Sequence, residues 1–342
     1  MQLDPNSQAS AVRWGVLSVA NIGVQRVIPA IVASANGQLV GVASRNPERA
    51  RELFATMPSV RFHSDYESLI NDPEVEAIYN PLPNSLHAEW STRAMQAGKH
   101  VLCEKPLAVT AQQGASMARV ARENGVLLME AFMYRFHPQT VWALEQMAAG
   151  RIGDVKLVRA SFSFNISIPP RPQDIRLQAA LAGGSLMDVG CYPVNFCHAV
   201  YGHAPVAVAA RVYIPTEGEV ERSANAVLDF GDGRFGLIDS SFELPSRQVA
   251  EILGERDFRG ILQQGVHESI YTSLIREHWL LVVAFDKQTH VGLVKVLARR
   301  ASDELERVLD RVLSGSAEAK EQVVNVQFRS SVENTIDYLF RD

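Results

Sequence analysis

The chain has 342 residues, 33 Lys and Arg against 38 Asp and Glu, a formal net charge of -5 and 47% apolar residues. That length accommodates about two domains with separate cores. The acidic balance, with no long basic run, excludes nucleic acid and membrane surfaces as expected partners, because both are recognised by basic patches.

Residues 1–12 read as a flexible polar tail without the basic and apolar stretches of a leader, and the best apolar run, Leu280–Phe285, falls far short of a bilayer. The three cysteines, Cys103, Cys191 and Cys197, form no CxxC pair, so neither a disulfide framework nor a zinc site is expected. A reducing cytoplasm fits this pattern. His and carboxylate residues show no ligand spacing, and no metal is expected.

After the tail, Arg13–Val19 reads as a strand, Gln25–Ala33 as a helix, Gln38–Ser44 as a strand and Pro47–Met57 as a helix. The pattern continues through Tyr66–Leu69, a strand at Ala77–Tyr79, a helix at Leu86–Ala97, a strand at His100–Cys103, a helix at Ala111–Asn124 and a strand at Leu127–Glu130. Such alternation implies a Rossmann-type, doubly wound parallel sheet over 13–138. Beyond Gly153 the runs Val155–Ile168, Val206–Ile214, Ala224–Phe230, Arg234–Glu243 and Gln248–Leu253 read as strands joined by short turns, with Gly231–Gly233 as a hairpin loop. Residues 139–342 are therefore expected to form an α+β domain with a largely antiparallel open sheet. Within it, Trp279–Phe285, Val291–Leu297 and Val323–Phe328 read as strands, Leu305–Leu313 as an apolar helical stripe and Ser331–Phe340 as a last helix.

The first strand runs into Ser18-Val19-Ala20-Asn21-Ile22-Gly23, where a dinucleotide fold carries Gly-x-Gly-x-x-Gly. Only the third glycine is present. Ser18 and Ala20 are small enough for backbone to approach a pyrophosphate. The second strand ends in Ser44-Arg45 with no carboxylate, and Arg49 follows one helical turn later. A carboxylate there would accept from a ribose 2'-hydroxyl and repel a 2'-phosphate, whereas Ser44 and Arg45 offer donors and positive charge. NADP is accordingly expected over NAD. Arg49 either adds to the phosphate site or is a solvated helix-start arginine.

Another strand delivers Glu104-Lys105-Pro106 at its end. Pro106 forces Lys105 out of helical geometry, so its ammonium is held on a fixed turn. Asn84 and His87 stand at the start of the helix after Pro83, where donors can meet a ribose or nicotinamide; His87 is equally readable as a helix-face residue.

Four blocks, Tyr79-Asn80-Pro81-Leu82-Pro83-Asn84-Ser85-Leu86-His87, Glu104-Lys105-Pro106, Glu130-Ala131-Phe132-Met133-Tyr134-Arg135-Phe136-His137-Pro138 and Gly183-Gly184-Ser185-Leu186-Met187-Asp188-Val189-Gly190-Cys191-Tyr192-Pro193, together resemble the Gfo/Idh/MocA oxidoreductases over roughly Arg13 to Leu262. Within that family they are similar to the branch of glucose-fructose oxidoreductase, NADP-dependent xylose dehydrogenase and dihydrodiol dehydrogenase. The resemblance implies that Lys105 is the active-site lysine, that Tyr192 donates or accepts the proton, and that Asp188 holds a sugar hydroxyl or Lys105. It adds Pro81 and Glu104 to the cofactor set of Ser18, Ala20, Asn21, Ile22, Gly23, Ser44, Arg45, Arg49, Asn84, His87 and Lys105. Arg135 and His137 are expected beside the nicotinamide and substrate, or else in a packed aromatic linker; Arg176 is expected at phosphate or substrate, or else at the surface. Asp188 and Tyr192 share a helix face only if the segment after Gly184 is helical, which Pro193 complicates.

The chemistry agrees with these roles. Hydride transfer at a carbinol carbon needs a proton to move on the adjoining oxygen, and an ordinary phenol, with a pKa of about 10, is a poor base near neutrality. A neighbouring ammonium favours the phenolate. The implied activity is NADP-dependent oxidation or reduction of a sugar, a sugar derivative or a vicinal diol. The family also implies a homodimer or larger, paired through the open sheet. Residues 263–342 depart from the family pattern, and with the altered Ser18/Ala20 turn they motivate an alternative: a non-catalytic nucleotide-binding relative acting as sensor or scaffold.

Overall fold

The computed structural model describes residues 11–168 and 173–254, the backbone of 261–264, 268–275 and 279–286, and residues 294, 297–305 and 307. These fall into two compact units, the first within Met1–His137, Arg171–Cys191 and Ile214–Arg222, the second within Pro138–Pro170, Tyr192–Tyr213 and Ser223–Asp342.

In the first unit, β1 (Val12–Leu17), β2 (Gly37–Ala43), β3 (Arg61–His63), β4 (Ala77–Asn80), β5 (His100–Cys103) and β6 (Leu128–Glu130) pair in the order β3-β2-β1-β4-β5-β6, all parallel. The inner strands bury both faces, which is why VRWGVL and AIYN read as apolar runs without clean alternation. The connecting helices are α1 (Ile28–Ala33), α2 (Pro47–Leu53), α3 (Tyr66–Ile70), α4 (Asn84–Gln96) and α5 (Ala111–Glu123). Their starts are set locally: Asn46 accepts from the Arg49 amide ahead of Pro47, Asp65 accepts from the Ser68 amide, and Thr110 with Gln113 forms a capping box. Leu17, Ile78, Met95, Val101 and Met117 fill the core on one face of the sheet, and Val16, Ile28, Val42 and Tyr79 that on the other. Strand order reverses between β1 and β4, and the carboxyl ends of strands beside such a reversal are where this architecture binds ligands.

The second unit contains α6 (Pro138–Ala148), β7 (Val155–Ser163), α7 (Cys191–Tyr201, whose first residue belongs to the first unit) and the strands β8 (Ala207–Tyr213), β9 (Ser223–Asp229), β10 (Phe235–Ser241), β11 (Arg247–Gly254), β12 (Ile261–Gln264), β13 (Glu268–Ile275) and β14 (Trp279–Asp286). The sheet runs β14-β13-β12-β11-β7-β10-β9-β8. It is antiparallel except between β7 and β10, as expected for a largely antiparallel sheet. Phe196, Cys197, Val200 and Tyr201 of α7 cover Val158, Leu228, Phe230 and Ile238 on one face. The alternate residues of the same strands face outward.

Several elements differ from the sequence reading. Residues 173–191, read above as part of the second domain, group with the first unit, and their polar groups bond to α4 and to the turn after β5. Residues 138–148, at the start of the second unit, form a helix. Val291–Leu297 was read as a strand, yet Val294 and Leu297 are helical, and Val294, Ala298, Ala301 and Leu305 are buried at the spacing of one helix face. A short apolar run carries both periodicities and does not decide between them. Residues 308–342, with the expected stripe after Leu305, the strand at Val323 and the last helix, lie outside the described residues, as does 1–10 of the expected tail.

Candidate active site

At the end of β1, Ser18 takes a left-handed φ of 80°, its amide donates to Ala43 O at 2.7 Å, and its Oγ accepts from the Ala20 amide at 3.3 Å. A serine thus holds the conformation that the first glycine of the fold would supply, and its own hydroxyl braces the turn. Asn21 and Ile22 lead into a π-helical turn, Gly23–Val27, that continues as α1. Gly23 faces the packed side of the turn: a Cβ there would sit in ordinary van der Waals contact, 3.4 Å from the buried Tyr79 ring and 3.7 Å from Pro81. Pro81 therefore packs behind the turn.

At the end of β2, Ser44 is buried and its Oγ accepts from the Asn46 amide. Arg45 and Arg49 are exposed. Arg49 Nη2 lies 3.4 Å from Asn21 Oδ1, which brings the first turn and α2 together, and Arg45 reaches the Tyr66 phenol, whose pKa burial pushes up and Arg45 draws back. Small residues at the β1 turn and two guanidinium groups at the β2 end fit a pyrophosphate and a 2'-phosphate respectively.

The turn after β5 is fixed at three points. Glu104 accepts from Tyr79 OH at 2.7 Å and from the Lys105 amide at 3.3 Å. Glu130, at the end of β6, accepts from the Leu107 amide at 2.7 Å; burial raises its pKa, while this bond and the charge of Arg135 lower it. His87, fully buried, sets Nδ1 2.7 Å from Pro106 O and Nε2 2.7 Å from Leu82 O. His87 was expected among the cofactor residues. In the structure one ring nitrogen faces the turn that presents Lys105 and the other the turn after β4.

Burial lowers the His87 pKa from 6.5, against the two carbonyls that favour the charged ring. Below that pH the unfolded chain takes up a proton that the folded chain refuses, so stability is full above it and declines as pH falls. From about pH 7 to about pH 5.5 the thermal midpoint of the wild type is expected to drop more than that of His87→Gln. Parallel curves in differential scanning calorimetry would contradict the assignment.

Lys105 Nζ donates to Asp188 Oδ1 at 3.0 Å and to the Asp188 carbonyl. Their side chains are 15% and 14% exposed, so the pair is sheltered from the screening that weakens surface ion pairs. Asp188 Oδ2 accepts from Arg176 Nε at 2.8 Å, and Arg176 Nη1 contacts Asp174 at 3.2 Å. Arg176, read above as a phosphate or substrate ligand or a surface residue, pairs with Asp188. Asn84 donates to Ala182 O at 2.9 Å and ties α4 to the segment that carries Asp188. Arg135 and His137 are exposed, Arg135 in a 3-10 turn, Met133–Phe136, and His137 directly after it.

Asp188 lies in a π-helical turn, Leu186–Gly190, that leads directly into α7, so the backbone stays helical and Pro193 falls in the first turn of α7. Tyr192, in the second unit, has its ring 5.2 Å from that of Phe162 on β7, tilted by 51°. Sequence reasoning missed Tyr79, Asp174 and Glu130 as supports. Tyr79 and Glu130 stand inside two of the four blocks; for Asp174 the only signal is its place two residues before Arg176.

Among the described residues no group of three or more His, Cys, Asp or Glu is arranged to hold a metal, and no helix is long and apolar enough to cross a membrane. A model for the oxidoreductase family with an NAD-binding Rossmann fold matches residues 12–132, and one for the GFO/IDH/MocA C-terminal domain matches 141–257. The chain is 40% identical over 239 residues to the D-xylose 1-dehydrogenase (NADP(+)) 2 of Haloferax volcanii, covering 70% of this chain and 72% of that one. It is 32% identical over 255 residues to the trans-1,2-dihydrobenzene-1,2-diol dehydrogenase of Xenopus tropicalis, covering 74% and 75%. Among solved structures, KijD10, a 3-ketoreductase from Actinomadura kijaniata in complex with NADP and TDP-benzene, aligns with a TM-score of 0.70 at 30% identity over 81% of this chain and 85% of that one. With the parallel sheet, the lysine turn and the mixed sheet in the order such proteins carry them, the chain belongs to the Gfo/Idh/MocA family of oxidoreductases.

Proposed function

We propose that the protein is an NADP-dependent dehydrogenase or reductase acting on the hydroxyl or keto carbon of a sugar, a sugar derivative or a vicinal diol. The observation that carries this reading is the sheltered Lys105–Asp188 pair at the carboxyl end of β5, braced by groups from β4, α4 and β6. A protein that only bound nucleotide would need no ammonium held there. Ser18, Ala20, Asn21, Ile22 and Gly23 line the pyrophosphate turn, with Ser44, Arg45 and Arg49 at the ribose phosphate. Pro81, Asn84 and Glu104 complete this side. When bound, the nicotinamide supplies or accepts hydride at the substrate carbon. Tyr192 takes the hydroxyl proton in oxidation and returns it in reduction, the Lys105 ammonium stabilises its anionic form, and Asp188 and Arg176 hold that ammonium in place. Arg135 and His137 are assigned to the substrate side.

The sensor or scaffold alternative loses its first motive, because Ser18 adopts the backbone conformation that the missing glycine would have provided. Mixing protein with NADP and a panel of aldoses and diols, and following nicotinamide absorbance, separates the two. Reduction of NADP with at least one member is expected. Saturable NADP binding with no reduction by any member would contradict the enzymatic reading.

Replacing Arg45 by Asp is expected to raise KM for NADPH by about 10- to 100-fold, the loss of one charge-assisted contact, and to leave NADH nearly unchanged. Equal loss of both in steady-state kinetics would remove the phosphate role. We also assign the outward face of the eight-stranded sheet, where Arg159, Arg211, Asn225, Val227 and Leu237 line a concavity of about 880 Å³, to pairing with a second copy of the chain. A monomer by light scattering at micromolar concentration would overturn this.

A further inference from the structure

Asp188 depends on a helical turn whose first residues have no cap of their own, since the Ser185 side chain makes no capping hydrogen bond. The cap comes instead from Glu221, in the segment Ile214–Arg222 of the same unit. Its carboxylate Oε1 accepts from the Leu186 amide at 2.8 Å, and its carbonyl accepts from the Ser185 amide at 3.0 Å. Gly184 makes room for it: its φ is +113°, and a Cβ there would lie 2.4 Å from both Glu221 carboxylate oxygens. Two residues beyond Leu186, Asp188 turns its carboxylate to Lys105 and Arg176.

From this we infer that Glu221 is a positioning residue for the Lys105–Asp188 pair. It satisfies amides at the start of the turn in place of the usual serine or aspartate, places negative charge where the helix end is positive, and so fixes the register at which Asp188 meets the ammonium. Glycine at 184 and glutamate at 221 form one unit of structure, because any side chain at 184 displaces the cap. The inference rests on the proposed role of Lys105, and its test is chosen to fail separately from that role.

The test is the rate at which Lys105 is labelled by a small amine-reactive reagent, read peptide by peptide by mass spectrometry on the full chain, which needs no knowledge of the substrate. Buried Lys99, in the same unit and bonded to Asp72 O and Val75 O, is the internal control. In Glu221→Ala, labelling of Lys105 is expected to rise about five-fold, the population change that loss of one cap brings, with Lys99 unchanged. Glu221→Gln keeps an acceptor oxygen and should stay close to wild type. Labelling of Lys105 unchanged in Glu221→Ala, or a rise in Lys99 to match, would overturn the inference: the first leaves Glu221 without influence on the pair, the second makes it a general support of the fold. In turnover, Glu221→Ala should lower kcat more than it raises KM for NADPH, and Glu221→Gln should restore most of the loss. A wild type inactive on every substrate while the labelling result holds would refute the enzymatic reading and spare the positioning role.

Discussion

Tyr192→Phe is expected to reduce kcat by about a hundredfold to ten-thousandfold while leaving NADPH binding within about two-fold of wild type. The substitution removes one oxygen and keeps the ring, so the contact with Phe162 survives and the fold has no reason to change. What disappears is the group that exchanges a proton with the substrate oxygen. Without it, oxidation leaves a protonated carbonyl and reduction an alkoxide, both costly near neutrality. Titration of NADPH by fluorescence alongside steady-state kinetics separates binding from turnover. Near-normal kcat would remove Tyr192 from the mechanism.

Lys105→Met is expected to lower kcat by about a hundredfold or more with little change in thermal midpoint. The asymmetry follows from the contacts. When the ammonium is removed, Asp188 keeps its Oδ2 bond to Arg176, so the carboxylate is not left buried and alone. Methionine fills much of the same volume as the lysine stem. The turn itself is held by Glu104 through Tyr79, by Glu130 through the Leu107 amide and by His87 through the Pro106 carbonyl. A midpoint drop as large as the activity loss would make Lys105 a structural residue, and unchanged turnover would end its catalytic assignment.

Much of the fold was legible because local and global signals coincide in the first unit. β5 has the boundaries read from His100 to Cys103, and α5 begins after Thr110, where a capping box with Gln113 stops the chain from extending the helix backward. The mixed sheet was legible for a different reason: the strands from β8 to β11 are joined by short polar turns, and α7 covers Leu228, Phe230 and Ile238 on one face. Periodicity could not reach the parallel pairing of β7 with β10, because each residue pairs with one 78 positions away, on strands that each look like hairpin partners. Nor could it separate strand from helix around Val294.

The tight turn after β1 was legible from its small residues, and Ser18 takes a left-handed φ there. The supports were not. His87 stands at a helix start where donors are useful, and no local feature says that its two nitrogens face the carbonyls of Pro106 and Leu82. Arg176 likewise carries a charge that suits phosphate, and only the fold sets it against Asp188. Glu221 lies 35 residues from the amide it caps, beyond the reach of any spacing rule.

The pH dependence of kcat for oxidation of one active substrate, in wild type and Lys105→Met, tests the proposed partnership of Lys105 and Tyr192 most directly. Removal of the ammonium is expected to move the ascending limb of the profile about one to three pH units higher, the displacement an adjacent positive charge imposes on a titrating acid. A limb that stays where it is in both proteins would contradict it.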